Sequence, residues 1–555
     1  MTTTAAPTAP WPELDPAAVR QALLAGTEIA LLDVREEDPY AQGHPLWAAN
    51  LPLSTLELNA WRRIPRRDTL IVLYGSQVGR DGPDGPAEDL APLAAARLQA
   101  LGYTRVHLLT GGLAGWRRAG GELFIDVNVP SKAFGELVEA ERHTPSLSAQ
   151  DVQALIDSRA DVVVVDARRF EEYQAMSIPT GTSVPGAELV LRVRELAPDP
   201  ATRVIVNCAG RTRSIIGTQS LVNAGLPNPV AALRNGTIGW LLAGQTLDHG
   251  ASRRFPAAVS AATRAQAQAD ARAVADRAGV RRIAWADLAT LDDPARTSYR
   301  YDVRTPEEYA QGHLPGFGSA PGGQLVQETD HNAPVRGARI VLADDDGVRA
   351  NMTASWLAQM GWETHVVDGA PAAAFSETGP WQPAQPADPD VPTIAPGELA
   401  TLLGNDHGAA AGVALLDLTP SARYVERHIP GAWYVLRAQL AQALVVIPPA
   451  RRYVLTCGSS QLARWAAHDL LTLLAQRDQA PLPVHVLDGG TQAWIAQGLP
   501  LEHGETRLAS PRIDRYRRPY EGTDAPAAAM QAYLDWEFGL VAQLGRDGTH
   551  GFQVI

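Results

Sequence analysis

Val163-Val164-Val165-Asp166-Ala167-Arg168 is an apolar run that closes on an acidic residue, and the chain carries the same pattern three more times. The other copies are Ala30-Leu31-Leu32-Asp33-Val34-Arg35, Tyr301-Asp302-Val303-Arg304 and Leu415-Leu416-Asp417-Leu418. Apolar runs without polar alternation read as strands buried on both faces, as in parallel sheets covered by helices. Three copies continue into acidic, aromatic segments ending at Tyr40, Tyr173 and Tyr309, and the fourth reaches Tyr424. A second apolar run then ends at Tyr74, Cys208, Asp344 and Cys457, which lie 41, 42, 42 and 40 residues after the four aspartates. Each leads into an Ala/Leu-rich helical stretch, a short strand and a turn before an aromatic: Gly111-Gly112 to Trp116, Asn235-Gly236 to Trp240, Gly369-Ala370 to Phe375, and Gly489-Gly490 to Trp494. This rhythm predicts four α/β domains, each a parallel sheet with helices on both faces and ligands at the carboxyl ends of its strands.

The pattern lapses at 124–144, at the Ala-rich 251–282 and at the Pro-rich 380–396. The expected domains are therefore 1–125, 144–250, 278–380 and 392–503, with a helical tail at 504–555. In the tail, Tyr533, Trp536, Leu540 and Leu544 follow a helical spacing, so 526–544 is expected to dock on another domain or to join two copies in a homodimer. The insertion at 79–89 reads as surface. A length of 555 residues suits three to four domains, and 61 acidic against 48 basic residues give a net charge of −13, which disfavours nucleic acid and membrane surfaces as partners. The polar 1–12 stretch lacks the pattern of a signal peptide, and no apolar run is long enough to span a bilayer, so the expected location is cytoplasmic.

Two cysteines exclude a disulfide framework and a Cys-rich metal site, and each needs its own explanation. Cys208 opens Cys208-Ala209-Gly210-Arg211-Thr212-Arg213-Ser214, just before the helical segment 215–221. A thiol at a strand end among loop amides, beside a helix N-terminus and two arginines, is expected to be a thiolate nucleophile with donors for an anionic substrate. Cys457 opens Cys457-Gly458-Ser459-Ser460-Gln461, at the same spacing but with no arginine.

These repeats resemble rhodanese domains, the sulfurtransferase fold, over nearly the whole chain. The resemblance rests on the Asp-x-Arg strand end, the Cys loop entering a helix and the Gly-Gly-x-x-x-Trp turn. It implies sulfur transfer through a cysteine persulfide: Cys208 accepts sulfur, the amides of Ala209, Gly210, Arg211, Thr212, Arg213 and Ser214 cradle it, and Arg211 and Arg213 bind the donor. Cys457-Gly458-Ser459 resembles the opening of the mercaptopyruvate sulfurtransferase loop, which makes Cys457 a second catalytic candidate. Tyr74 and Asp344 replace the thiol, so the first and third repeats are expected to be inactive, with Arg349 left to bind anions. Features kept in those repeats belong to folding: the Asp-Arg pairs are expected to be structural caps, and His44, His313 and His428 are not a shared base. The reaction so implied takes sulfur from thiosulfate or 3-mercaptopyruvate to cyanide, a small thiol or a thioredoxin-like protein, with no metal or organic cofactor. Two rival readings remain at this point. One is a cysteine-dependent phosphatase or arsenate reductase, whose loop has arginine at the sixth position after cysteine, where this chain has Ser214. The other is a sulfur carrier or regulatory scaffold without turnover.

Overall fold

Every one of the four aspartates ends a strand: Ile29–Asp33, Val162–Asp166, Ser298–Asp302 and Val413–Asp417. The structure is a computed structural model and describes residues 11–75, 89–404, 412–476 and 481–555. The readings of 1–12 and 79–89 fall almost wholly outside those residues. In the second domain the strand order is Ser146–Leu147, Val230–Leu233, Arg203–Asn207, Val162–Asp166 and Thr182–Ser183, all parallel. The third and fourth domains repeat this five-stranded order, and helices pack on the sheets throughout. Cys208 and Cys457 each follow the central strand, Arg203–Asn207 and Arg452–Thr456 respectively.

The strand ends are held by buried ion pairs. Asp166 accepts from the Arg168 backbone at 3.1 Å and from its guanidinium at 2.9 and 2.8 Å, while Arg168 Nη2 also donates to the Met176 carbonyl at 2.6 Å. Asp33 with Arg35, and Asp302 with Arg304, repeat the arrangement and reach the carbonyls of Gly43 and Gly312. In the fourth domain Thr419 stands in the arginine's place and donates its amide to Asp417 at 2.8 Å. The histidines are structural as well: His44, His313 and His428 stack on Tyr40, Tyr309 and Tyr424 at 3.9, 3.7 and 3.9 Å.

The first and third domains are fused. Val335–Arg336 pairs antiparallel with Ile29 and Ala30, and one apolar core runs from Leu32 and Ile71 to Tyr299 and Leu342. The third domain also departs at its glycine turn, where a short turn, Ala372–Ala374, replaces the helices Gly112–Arg118, Gly236–Leu242 and Gly490–Ala496. Two interdomain segments are helical, Val129–Arg142 and Ala261–Arg277.

The tail forms Ala527–Phe538 and Leu540–Asp547, separated at Gly539. Met530, Tyr533 and Leu534 bury against Ile238 of the second domain, and Leu540 and Leu544 join the large core. The apolar face that a tail-mediated homodimer needed is thus used inside the chain. None of the helices among the described residues is long and apolar enough to cross a membrane.

Candidate active site

The second-domain loop starts where Arg203–Asn207 ends and feeds the helix Thr212–Asn223. Its carbonyls are tied to the next helix start: Cys208 O accepts the Thr237 amide at 2.9 Å, and Ala209 O accepts the Ile238 amide and the Thr237 hydroxyl, both at 3.1 Å. Gly236 makes this possible, since its φ is +53° and a Cβ there would lie 2.3 Å from Cys208 O. Asn207 donates to Asp166 at 2.8 Å, which links the loop to the strand-end cap.

Cys208 is only 2% exposed. Its Sγ lies 3.4 Å from Ser214 Oγ: the neutral thiol donates to that hydroxyl, which itself donates to the Arg211 carbonyl at 2.8 Å and can turn its proton to the sulfur once the thiol ionises. Burial pushes the thiol up; Arg213 and the Ser214 hydroxyl and amide pull it down, and Glu537 adds to the upward push. Desolvation is the largest of these influences and works against the expected thiolate, with Arg213 the strongest influence in its favour.

The two arginines do different things. Arg213 forms a two-pronged pair with Glu172 at 2.7 and 2.9 Å. Although burial pushes Glu172 up, Arg213 holds its carboxyl down at about 2. Arg211 turns away to Glu136 at 2.7 and 2.8 Å, to Glu139, and to Asn235 at 3.1 Å, with Phe538 stacked 4.2 Å from its guanidinium. It therefore staples the loop to the helix Val129–Arg142, and Arg213 is the cation that acts most on the thiol. Thr212 packs against Gly135 of that same helix. Above Gly210 stand Tyr533 and Glu537 of the tail, 3.3 and 3.4 Å from where a Cβ on that glycine would sit.

The fourth-domain loop is built from backbone. Ser460 takes the left-handed conformation, φ 77°, and starts the helix Gln461–Ala475. Burial pushes the Cys457 thiol up, while the amides of Ala463, Ser459, Leu462 and Ser460 pull it down. Gly490 repeats the part of Gly236, its Cβ position lying 2.3 Å from Cys457 O.

The thiol-free loop of the third domain is filled. Asp344 accepts the Gly347 amide at 2.9 Å and the Ala350 amide at 2.8 Å, so a carboxyl takes up the amides that face a sulfur elsewhere. Burial, then Asp346, pushes that carboxyl well up. Arg349 is bound by Glu188, Glu308, Asp345 and Asp346 at 2.9, 2.6, 3.0 and 2.6 Å. Its expected anion binding is overturned, since four carboxylates already occupy the guanidinium. Tyr74 is buried in its sheet with Arg35 over its ring at 5.7 Å.

Sequence reasoning missed Glu136, Glu139, Lys132 and Glu537, which reach the site from outside the repeats, and it placed Tyr533 on a docking face without linking it to the cysteine loop. Spacing within a repeat holds no signal for them. Among the described residues no group of three or more His, Cys, Asp or Glu is placed to hold a metal ion.

A parallel α/β sheet with a cysteine loop after its central strand, present in four copies, is the architecture of the rhodanese-like domain, and the model of that domain matches residues 15–119, 148–243, 289–372 and 396–497. The chain belongs to this family. Over 98% of its length it superposes on all of a thiosulfate sulfurtransferase from Pseudomonas aeruginosa, with 66% identity and a TM-score of 0.92. A thiosulfate sulfurtransferase from Azotobacter vinelandii is 26% identical over 205 residues, 35% of this chain and 74% of that protein. An HTH-type transcriptional regulator from Mycobacterium tuberculosis shares 34% identity over 91 residues, 16% of this chain and 39% of its own.

Proposed function

We propose that this chain is a thiosulfate-type sulfurtransferase whose sulfur-carrying residue is Cys208. The observation that carries the reading is the Cys208 thiol, which ends a central parallel strand and is held by Ser214 beside the Arg213–Glu172 pair. An anionic donor competes with Glu172 for Arg213, and the freed positive charge lowers the cost of a thiolate at Cys208. The thiolate attacks the outer sulfur of thiosulfate; the new S–S bond takes the thiolate electron pair, and the S–S bond to the sulfonyl sulfur breaks with release of sulfite. Loop amides from Ala209 to Ser214 then face the persulfide. Cyanide, a small thiol or the thiol of a thioredoxin-like protein attacks the terminal sulfur, and the Cys208 thiolate leaves. Cys457, with its ring of amides and no cation, fits a less charged donor such as 3-mercaptopyruvate.

The serine at the sixth position favours sulfur over phosphate, because a phosphatase loop needs a guanidinium there to hold a tetrahedral oxyanion. The test is mass spectrometry after incubation with thiosulfate. Wild type should gain about 32 Da on the Cys208 peptide and release thiocyanate with cyanide, and Cys208→Ser should do neither. Phosphate ester hydrolysis without an adduct would replace this reading.

A further inference from the structure

The tail helix Ala527–Phe538 brings one carboxyl to the Cys208 loop that nothing in the fold explains. Glu537 is 1% exposed; its Oε1 accepts the Tyr533 hydroxyl at 2.8 Å, and its Oε2 has no hydrogen-bond partner among the described residues. That free oxygen stands over Gly210, 3.4 Å from the place a Cβ would take, two residues from the cysteine. An unpaired buried carboxylate oxygen is costly, and tail docking alone would be served better by an apolar side chain. Gly210 supplies the complement, since any larger residue would meet Tyr533 and Glu537.

We propose that Glu537 is a specificity-determining residue of the Cys208 site: as a neutral carboxyl it donates a hydrogen bond from Oε2 to an anionic sulfur donor over Gly210, and when ionised it repels that donor. This deepens the sulfurtransferase reading and rests on Cys208 being the nucleophile. Charged and titratable groups surround Glu537 on every side. Tyr533 lies on its own helix and Tyr520 precedes it; Lys132 and Glu136 come from Val129–Arg142; Arg211, Arg213 and Cys208 come from the loop; Asp126 lies behind Lys132. The one nearby ammonium is already engaged, for Lys132 donates to Asp126 at 2.8 Å and lies 5.1 to 5.5 Å from the rings of Tyr520, Tyr533 and Trp536. Burial pushes the Glu537 carboxyl up; Lys132 and the Tyr533 hydroxyl pull it down, Glu136 pushes it further, and it is raised to about 8. Burial thus favours the neutral carboxyl near neutral pH, and the charged form gains as pH rises.

The test alkylates the full-length protein with iodoacetamide, which is uncharged, and iodoacetate, which is an anion, and reads each cysteine by mass spectrometry. Thiolate formation affects both reagents alike, so the iodoacetate-to-iodoacetamide rate ratio reports only the site's tolerance of negative charge. At Cys208 of the wild type this ratio should fall about tenfold between pH 7 and pH 9, one pKa unit's worth of discrimination, and stay within about twofold at Cys457. Glu537→Gln should abolish the fall at Cys208. Tyr533→Phe removes a hydrogen bond that favours the charged form and should move the fall to higher pH, which keeps the test decisive if Glu537→Gln does not fold. A wild-type fall that persists in Glu537→Gln, a step that does not move in Tyr533→Phe, or a Cys208 inert to both reagents would overturn the proposal. Alkylation requires no turnover, so loss of the sulfurtransferase reading alone would show as a missing persulfide adduct with the charge discrimination intact.

Discussion

Cys208 and Cys457 each follow the central strand of a five-stranded parallel sheet, each is buried, and each has its loop carbonyl tied to a helix that starts at a glycine. Their surroundings nevertheless share little. Around Cys208 the help comes from the Arg213 guanidinium and from the hydroxyl and amide of Ser214, opposed by Glu537. Around Cys457 it comes from four backbone amides. Amides are fixed dipoles with no net charge, so they stabilise a small anion at short range and are indifferent to pH. A guanidinium acts at longer range, but only as far as its own counter-ion allows. The pair of loops shows one fold position tuned by two means, backbone amides alone in one loop and, in the other, a loop guanidinium whose counter-ion comes from distant sequence.

The largest effect should come from removing the thiols in turn. Cys208→Ser is expected to lower thiosulfate-to-cyanide transfer by about a hundredfold or more, while Cys457→Ser keeps over half of it. The opposite ranking in a thiocyanate assay would reverse the roles assigned to the two loops. Next, Arg213→Ala should cut kcat/KM for thiosulfate by about ten- to a hundredfold and lower stability by about 2 kcal/mol, since it leaves Glu172 without its two-pronged partner and with only the exposed Arg169 at 3.5 Å. Thermal unfolding and kinetics together test this, and iodoacetamide labelling of Cys457 should not change. A third, smaller effect concerns the donor: in Cys208→Ser the residual transfer should be a few-fold faster from 3-mercaptopyruvate than from thiosulfate, and Cys457→Ser added to it should remove the difference. The smallest is acid sensitivity. Glu172 is held down from 4.5 to about 2, so the stability it contributes is complete above pH 4.5 and is lost as pH falls toward 2. Hydrogen exchange below pH 4 should therefore open Val162–Asp166 before Val413–Asp417, and Glu172→Gln should flatten that dependence.

The four-domain fold was legible because its cause is local. An apolar run closed by aspartate needs a strand and a cap, and both lie within six residues, so Asp166 and Arg168 occupy the places that repetition in the thiol-free copies implied. The position of Cys208 was legible for the same reason. What was not legible is its electrostatics. Arg211 and Arg213 look like free cations in the string Cys208-Ala209-Gly210-Arg211-Thr212-Arg213, but their partners sit 75 residues away at Glu136 and 41 away at Glu172. The tail is farther still, and Glu537 enters the site only because Met530, Tyr533 and Leu534 find Ile238. Charge balance in a buried loop is settled by what docks on it, and docking is a long-range property.

Val335–Arg336 completes the sheet edge at Ile29 and Ala30 from some three hundred residues downstream. During synthesis at about 5 to 20 residues per second, that edge and the apolar surface beneath it stay uncovered for tens of seconds while the whole second domain is made. The newborn first domain is thus a sticky intermediate whose safety depends on a segment not yet translated. A fragment ending at residue 250 should self-associate in sedimentation where the full chain does not, and substitutions in Val335–Arg336 should show first in soluble yield and only afterwards in the chemistry of a cysteine they never touch.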